Sequence, residues 1–272
     1  MARDDRLPAS CPSPSNQTRS RYLKLCRELQ PEVIVELGIH MGGSTALLHA
    51  LNRPSLLVAL ELVAEPPVAL SDYIRRHALS SVIRPYYGVN QADRVAVEAI
   101  LEAELAGRKV DLVIDDASHL LEETRSSFET LFPLLRPGGV FVIEDWNSDH
   151  LVADGLQAVV ADSSHAAHAE VVSRLGEYAR LHPVPDMKLV RLPLELVLAR
   201  ASARDVIREV TVMDNWVVVV RGDEPLPPGP FRLTDLVTDH FANLRAPHAA
   251  QRAEQRQEHP PTLSNPEVTG SR

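Results

Sequence analysis

Two cysteines, Cys11 and Cys26, are all that 272 residues contain. They form neither a disulfide framework nor a CxxC pair, and they read as free thiols of a reducing compartment. No apolar run reaches the roughly 18 residues that a membrane span requires. The first residues, MARDDRLPAS, lack the apolar core of a signal peptide. A cytoplasmic protein without membrane contact is the expectation. Positive charge is also short: 28 Lys and Arg face 37 Asp and Glu, a formal net charge of −9. That balance argues against a nucleic-acid partner held through its phosphates. No internal repeat is present. With 44% hydrophobic residues, the chain can bury a substantial core.

The most informative stretch runs from Val110 to Trp146, VDLVIDDASHLLEETRSSFETLFPLLRPGGVFVIEDW. Val110–Ile114 and Val140–Ile143 look like buried parallel strands. Each runs into acid, Asp115-Asp116 after the first and Glu144-Asp145 after the second. A helix-length segment separates them, and Arg136-Pro137-Gly138-Gly139 should end it and turn the chain back. Ligands of open α/β sheets sit at the carboxyl ends of the strands. Neighbouring strands lie ~4.8 Å apart, so these acids converge. With His119 three residues after Asp116, they suggest a metal site with a base beside it. Carboxylates without thiolate make a hard site suited to Mg²⁺. Asp115 points away from Asp116 on a strand and is assigned to the cofactor side.

The rest of the chain supplies the frame. Residues 1–15 read as a disordered tail, and 16–30 as a short amphipathic helix stopped by Pro31. Glu32–Leu37 is a buried strand that runs into GIHMGGST. There Gly38, Gly42 and Gly43 make a tight turn, Ser44 and Thr45 can cap, and a helix follows. The spacing G-x-x-x-G-G departs from the dinucleotide fingerprint GxGxxG, which disfavours a nicotinamide oxidoreductase. Glu36 before the first glycine suits a ligand carrying an ammonium group. Leu56–Leu60 is a second strand, and Glu61 at its end is placed to bond ribose hydroxyls. A helix over 67–78, a strand over 82–87, Asn90-Gln91 and a helix over 92–106 complete the alternation. The pattern implies an α/β fold with a Rossmann-like doubly wound sheet. Segment 147–186 is irregular and reads as a lid or substrate insertion. A helix over 189–201 and two strands over 205–213 and 216–220, joined by Asp214-Asn215, end the domain as an antiparallel pair. A proline-rich and polar extension, 223–272, follows, with a helix expected over 231–244.

These features resemble a class I S-adenosylmethionine-dependent methyltransferase across roughly Asn16–Gly222. One departure is His40, which stands where the usual signature D/E-x-G-x-G-x-G has its middle glycine. DDASH and IEDW resemble more narrowly the metal-dependent sugar O-methyltransferases of the macrocin and mycinamicin type, with methylmannose polysaccharide methyltransferases as relatives. The resemblance implies Asp116, Glu144 and Asp145 as Mg²⁺ ligands and His119 as the base. It also implies a methionine end shaped by Glu36, Gly38 and Gly43, and an adenine edge met by Asn90-Gln91. The acceptor would be a sugar or glycoside hydroxyl, and a homodimer is compatible with the resemblance. A catechol-like acceptor and a non-catalytic S-adenosylmethionine-binding protein are the alternatives, the latter opposed by the intact acids.

Overall fold

The computed structural model describes residues 16–148, 159–164, 166–170, 172–173, 189–226 and 229–237. The expected tail (1–15), most of the expected lid segment and the extension beyond 237 lie outside the described residues.

Helix α1 (Asn16–Leu29) precedes an alternation of strands and helices. These are β1 (Val33–Leu37), α2 (Gly43–Asn52), β2 (Leu56–Glu61), α3 (Val68–Arg76), β3 (Ile83–Tyr87), α4 (Arg94–Leu105), β4 (Val110–Asp115), α5 (Leu121–Leu131) and β5 (Leu135–Glu144). Helix α6 (Arg191–Ser202) and the hairpin β6 (Ile207–Val212) and β7 (Trp216–Arg221) close the domain. Among the described residues, seven strands form one sheet of order β3-β2-β1-β4-β5-β7-β6, in which only the β5-β7 and β7-β6 pairings are antiparallel. The order reverses between β1 and β4, where such sheets open a crevice.

Strand alternation distributes the apolar residues between two layers. Val33, Val35 and Leu37 of β1, with Leu56, Val58 and Leu60 of β2, pack beneath α4, α5 and α6. Ile34, Leu57 and Ala59 point the other way, beneath α1, α2 and α3. In β4, Val110 and Leu112 lie on opposite faces because the register shifts between them. Among the described residues, no helix is long and apolar enough to cross a membrane.

Three local expectations are corrected. The glycines of Arg136-Pro137-Gly138-Gly139 lie inside β5, whose first residue, Leu135, already pairs with Val110. Helix α5 has by then ended in a 3₁₀ turn, Phe132–Leu134. The N-cap of α2 is Gly42 at φ 82°, and no side chain caps it; Ser44 and Thr45 fall in its first turn. The described part of the expected 231–244 helix is a single 3₁₀ turn, Leu233–Leu236. Tertiary contacts override helical propensity there: Phe231 and Leu233 enter the core, and the Leu233 amide donates to Glu129 Oε1 at 2.9 Å.

Candidate active site

The carboxyl ends of β1, β2 and β4 surround a cleft of about 740 Å³, lined among others by Gly38, His40, Glu61, Asn90, Asp116 and His119. Gly38, at φ 89°, is required by its neighbour as much as by any ligand. A Cβ there would lie 2.1 Å from the carbonyl oxygen of Asp116. The β1 and β4 ends can therefore meet only if this residue lacks a side chain.

Glu61 is held by backbone amides. Its Oε2 accepts from Ile39 and His40 at 2.9 and 2.8 Å, and its Oε1 from Val63 at 2.9 Å. Partial burial raises its pKa, but these amide bonds outweigh that cost and leave it below the usual glutamate value. The carboxylate stays ionised at the cleft wall. Asn90 accepts from the Ala92 amide at 2.9 Å. The Gln91 amide nitrogen donates to Ser127 Oγ at 2.9 Å and approaches both Asp115 oxygens at 3.4 Å, while its oxygen accepts from the Ser118 amide at 3.1 Å. Gln91 thus lines the cleft but also braces the loop after β4, with most of its bonding capacity engaged.

Behind the cleft wall lie Glu36, Gly43, Thr45 and Asp115, all buried, with Ser44 half-buried. Neither oxygen of Glu36 has a hydrogen-bond partner. Burial pushes its pKa up to about 7, and the neighbouring Ser44 and Thr45 hydroxyls offset that only in part. Burial does the same to Asp115, which rises to about 7 although the Ala117 amide, Gln91 and Ser127 pull it down.

At the ends of β4 and β5, Asp116, His119 and Asp145 offer ligand atoms that all lie within 4.8 Å of one another. His119 Nε2 is 3.8 Å from Asp116 Oδ1. His119 and Asp145 both adopt left-handed backbone, at φ 55° and 49°. Non-glycine residues are uncommon there and such strain clusters at functional sites. Asp116 is pushed to about 7 by burial and then by the charges of Asp145, Glu36 and Asp115. A cation would relieve that repulsion, and the oxygen-and-imidazole donor set suits a hard divalent ion. Glu144, expected beside Asp145, is not brought into this group. It accepts the Tyr22 hydroxyl at Oε1, and burial followed by the Asp116 charge raises it to about 8.

Tyr22 and Asn215 are the neighbours that sequence reasoning missed. Asn215 donates to Asp145 Oδ1 at 2.8 Å. In the sequence, Tyr22 is one more apolar position of an amphipathic helix and Asn215 one more turn residue. No spacing rule connects either with an acid 70 or more positions away.

Residues 35–146 match the family model described as a methyltransferase domain. Short stretches match curated relatives. The chain is 59% identical over 44 residues to demethylmacrocin O-methyltransferase of Streptomyces fradiae, covering 15% of this chain and 11% of that protein. It is 36% identical over 83 residues to 8-demethyl-8-alpha-L-rhamnosyl tetracenomycin-C 2'-O-methyltransferase of Streptomyces olivaceus, covering 26% and 21%. These matches span about a tenth to a fifth of the relatives' length. The MycE methyltransferase of the mycinamycin pathway, solved with Mg and SAH, superposes with a TM-score of 0.51 at 19% identity, over 88% of this chain and 60% of that one. At that identity the likeness speaks for the fold. Residues 35–146 are thus similar to a methyltransferase domain, and the mixed seven-stranded sheet shares its fold with MycE.

Proposed function

We propose that this protein is an S-adenosylmethionine-dependent O-methyltransferase that acts, with Mg²⁺, on a hydroxyl of a sugar or glycoside. The observation that carries the reading is the convergence of Asp145 with Asp116 and His119, which line the cleft that also holds Glu61. Similarity to O-methyltransferases of a rhamnosyl tetracenomycin, of mycinamicin VI and of L-olivosyl-oleandolide supports the acceptor class.

The residues fit both absent groups. Asp116 and Asp145 would hold the divalent ion, with Glu144 close behind and His119 within reach. Glu36, Gly38, Gly43, Ser44 and Thr45 would form the methionine end, and Glu61 would take the ribose. Asn90 and Gln91 would border the adenine, with Asp115 beneath them. Glu36 brings a buried carboxyl group, neither oxygen of which is bonded, to the place a cationic ligand would occupy. S-adenosylmethionine, when bound, supplies a methyl group activated on a sulfonium. Mg²⁺, when bound, supplies Lewis acidity that lowers the pKa of an acceptor hydroxyl. His119 would take the acceptor hydroxyl proton at an imidazole nitrogen. The cleft walls would hold the two reactants together, which would remove much of the entropic barrier.

The test is methyl transfer from labelled cofactor to purified glycosides, with and without Mg²⁺. His119→Asn should lower kcat by ~10²–10⁴ at saturating ligands, the range of a lost general base. Turnover of that variant within about threefold of the parent would remove the base role, being far below that range. Full activity in chelator would remove the metal.

A further inference from the structure

Helix α1 lies outside the stretch that matches the methyltransferase-domain model, yet two of its consecutive residues reach toward the acids at the end of β5. The Tyr22 hydroxyl donates to Glu144, and the Tyr22 ring stands edge-on to Trp216 with centroids 5.1 Å apart. Arg21 donates to Asn215 Oδ1, and also to Asp214 Oδ2 at 3.1 Å. Asn215 hands the contact on. Its Nδ2 donates to Asp145 Oδ1 at 2.8 Å, and its carbonyl accepts the Asp145 amide at 2.6 Å. The same turn accepts Trp146 Nε1 at the Met213 carbonyl (3.0 Å) and Asn147 Nδ2 at the Asp214 carbonyl (2.7 Å).

An asparagine is well chosen at this point. Its acceptor end meets a guanidinium and its donor end a carboxylate, and only one orientation of the amide satisfies both. Asp145 sits in left-handed backbone at φ 49°, so its pose depends on the contacts around it. The Arg21–Asp214 pair has an acid side chain 85% exposed and adds little to stability. Its effect is to fix the guanidinium that orients Asn215.

We propose that Arg21, Tyr22 and Asn215 form a clasp at the end of β5 that positions Asp145 as a ligand of a divalent cation and holds Glu144 in place behind it. Asn215, backed by Arg21, sets the Asp145 carboxylate, and Tyr22 sets Glu144. The proposal rests on the metal reading above. These are positioning residues. Asn215 occupies Oδ1 of Asp145 and leaves Oδ2 for the ion. Partners of this kind orient ligating carboxylates, and their loss typically weakens metal binding 10–100-fold.

The experiment is Mn²⁺ binding to the purified full chain, read from the electron paramagnetic resonance of the free ion, with no cofactor or acceptor present. Asn215→Ala and Tyr22→Phe should each weaken Mn²⁺ by about tenfold or more, while S-adenosylmethionine binding measured by calorimetry stays unchanged. Arg21→Ala should weaken Mn²⁺ less, and Arg21→Lys should recover part of that loss. Tyr22→Phe keeps the ring on Trp216 and so keeps the fold. It decides the matter if Asn215→Ala does not fold. A purely structural role would move the thermal midpoint and leave Mn²⁺ affinity alone. Affinities of Asn215→Ala and Tyr22→Phe within about twofold of the parent, well under the range for such partners, overturn the clasp if Asp145→Ala abolishes binding. If Asp145→Ala changes nothing in Mn²⁺ binding, the metal reading falls and the clasp with it.

Discussion

Six acids stand at the carboxyl ends of the strands, and they divide into two groups of three. Glu36, Asp115 and Glu144 are 0%, 2% and 4% exposed, whereas Glu61, Asp116 and Asp145 are only half-buried. Burial raises all three of the first group, to about 7, 7 and 8. Asp115 and Asp116, and likewise Glu144 and Asp145, are chain neighbours that fall on opposite sides of this division. At both strand ends one acid bonds within the protein, to Gln91 or to Tyr22. The next joins the His119 cluster. The comparison teaches that a doubled acid at a strand end is two residues with two environments, one buried and one half-buried beside His119.

The strongest way to break this comparison is to neutralise both members of one pair. Asp116→Asn should lower turnover by about 10²-fold or more, since a metal ligand supports several kcal/mol of transition-state stabilisation. Asp115→Asn should cost less than about tenfold, the loss of a modest hydrogen bond. Equal losses in a side-by-side kcat measurement would mean that the division has no functional content. Glu61 sharpens the cleft group at the cofactor end. Glu61→Ala should weaken S-adenosylmethionine binding at least about tenfold, because hydrogen bonds to a charged group contribute ~1.5–3 kcal/mol. Calorimetry giving the parent affinity would take Glu61 out of the site. Glu144→Gln probes the buried group more gently. It should weaken Mn²⁺ by about tenfold, as for a group acting from behind a ligand. A loss as large as that of Asp145→Asn would move Glu144 to the cleft group.

The smallest effect expected is on stability. The folded-state pKa of Glu36, about 7, lies above its ordinary 4.5, so the native chain holds a proton that the unfolded chain releases. Its contribution is full below about pH 4.5 and is lost as pH rises through about 7, so stability falls across that window. Glu36→Gln keeps the neutral shape. Its thermal midpoint, relative to the parent, should rise by a few degrees between pH 5 and pH 8.5. A difference independent of pH would show that Glu36 is ionised in the folded state.

The sequence alone determined the parallel α/β alternation, the closing antiparallel hairpin and the places of the acids. Each rests on local signals: apolar runs of strand length, glycine turns, and acids directly after them. The opposite directions of Asp115 and Asp116 were legible too, since side-chain alternation is a property of the strand itself. Long-range contact decided the remainder. Gly38 is required because the Asp116 carbonyl passes where its Cβ would be. Val110 and Leu112 face opposite layers because the β4–β5 register shifts. His119 and Asp145 lie in left-handed backbone, for which neither residue carries a glycine-like signal. Glu144 turns to Tyr22 and Asp145 to Asn215, partners 122 and 70 positions away. Local propensity reaches only across a turn or a helix face. Which acid faces a ligand depends on which donor arrives from elsewhere in the chain, and only the packed sheet brings those donors into place.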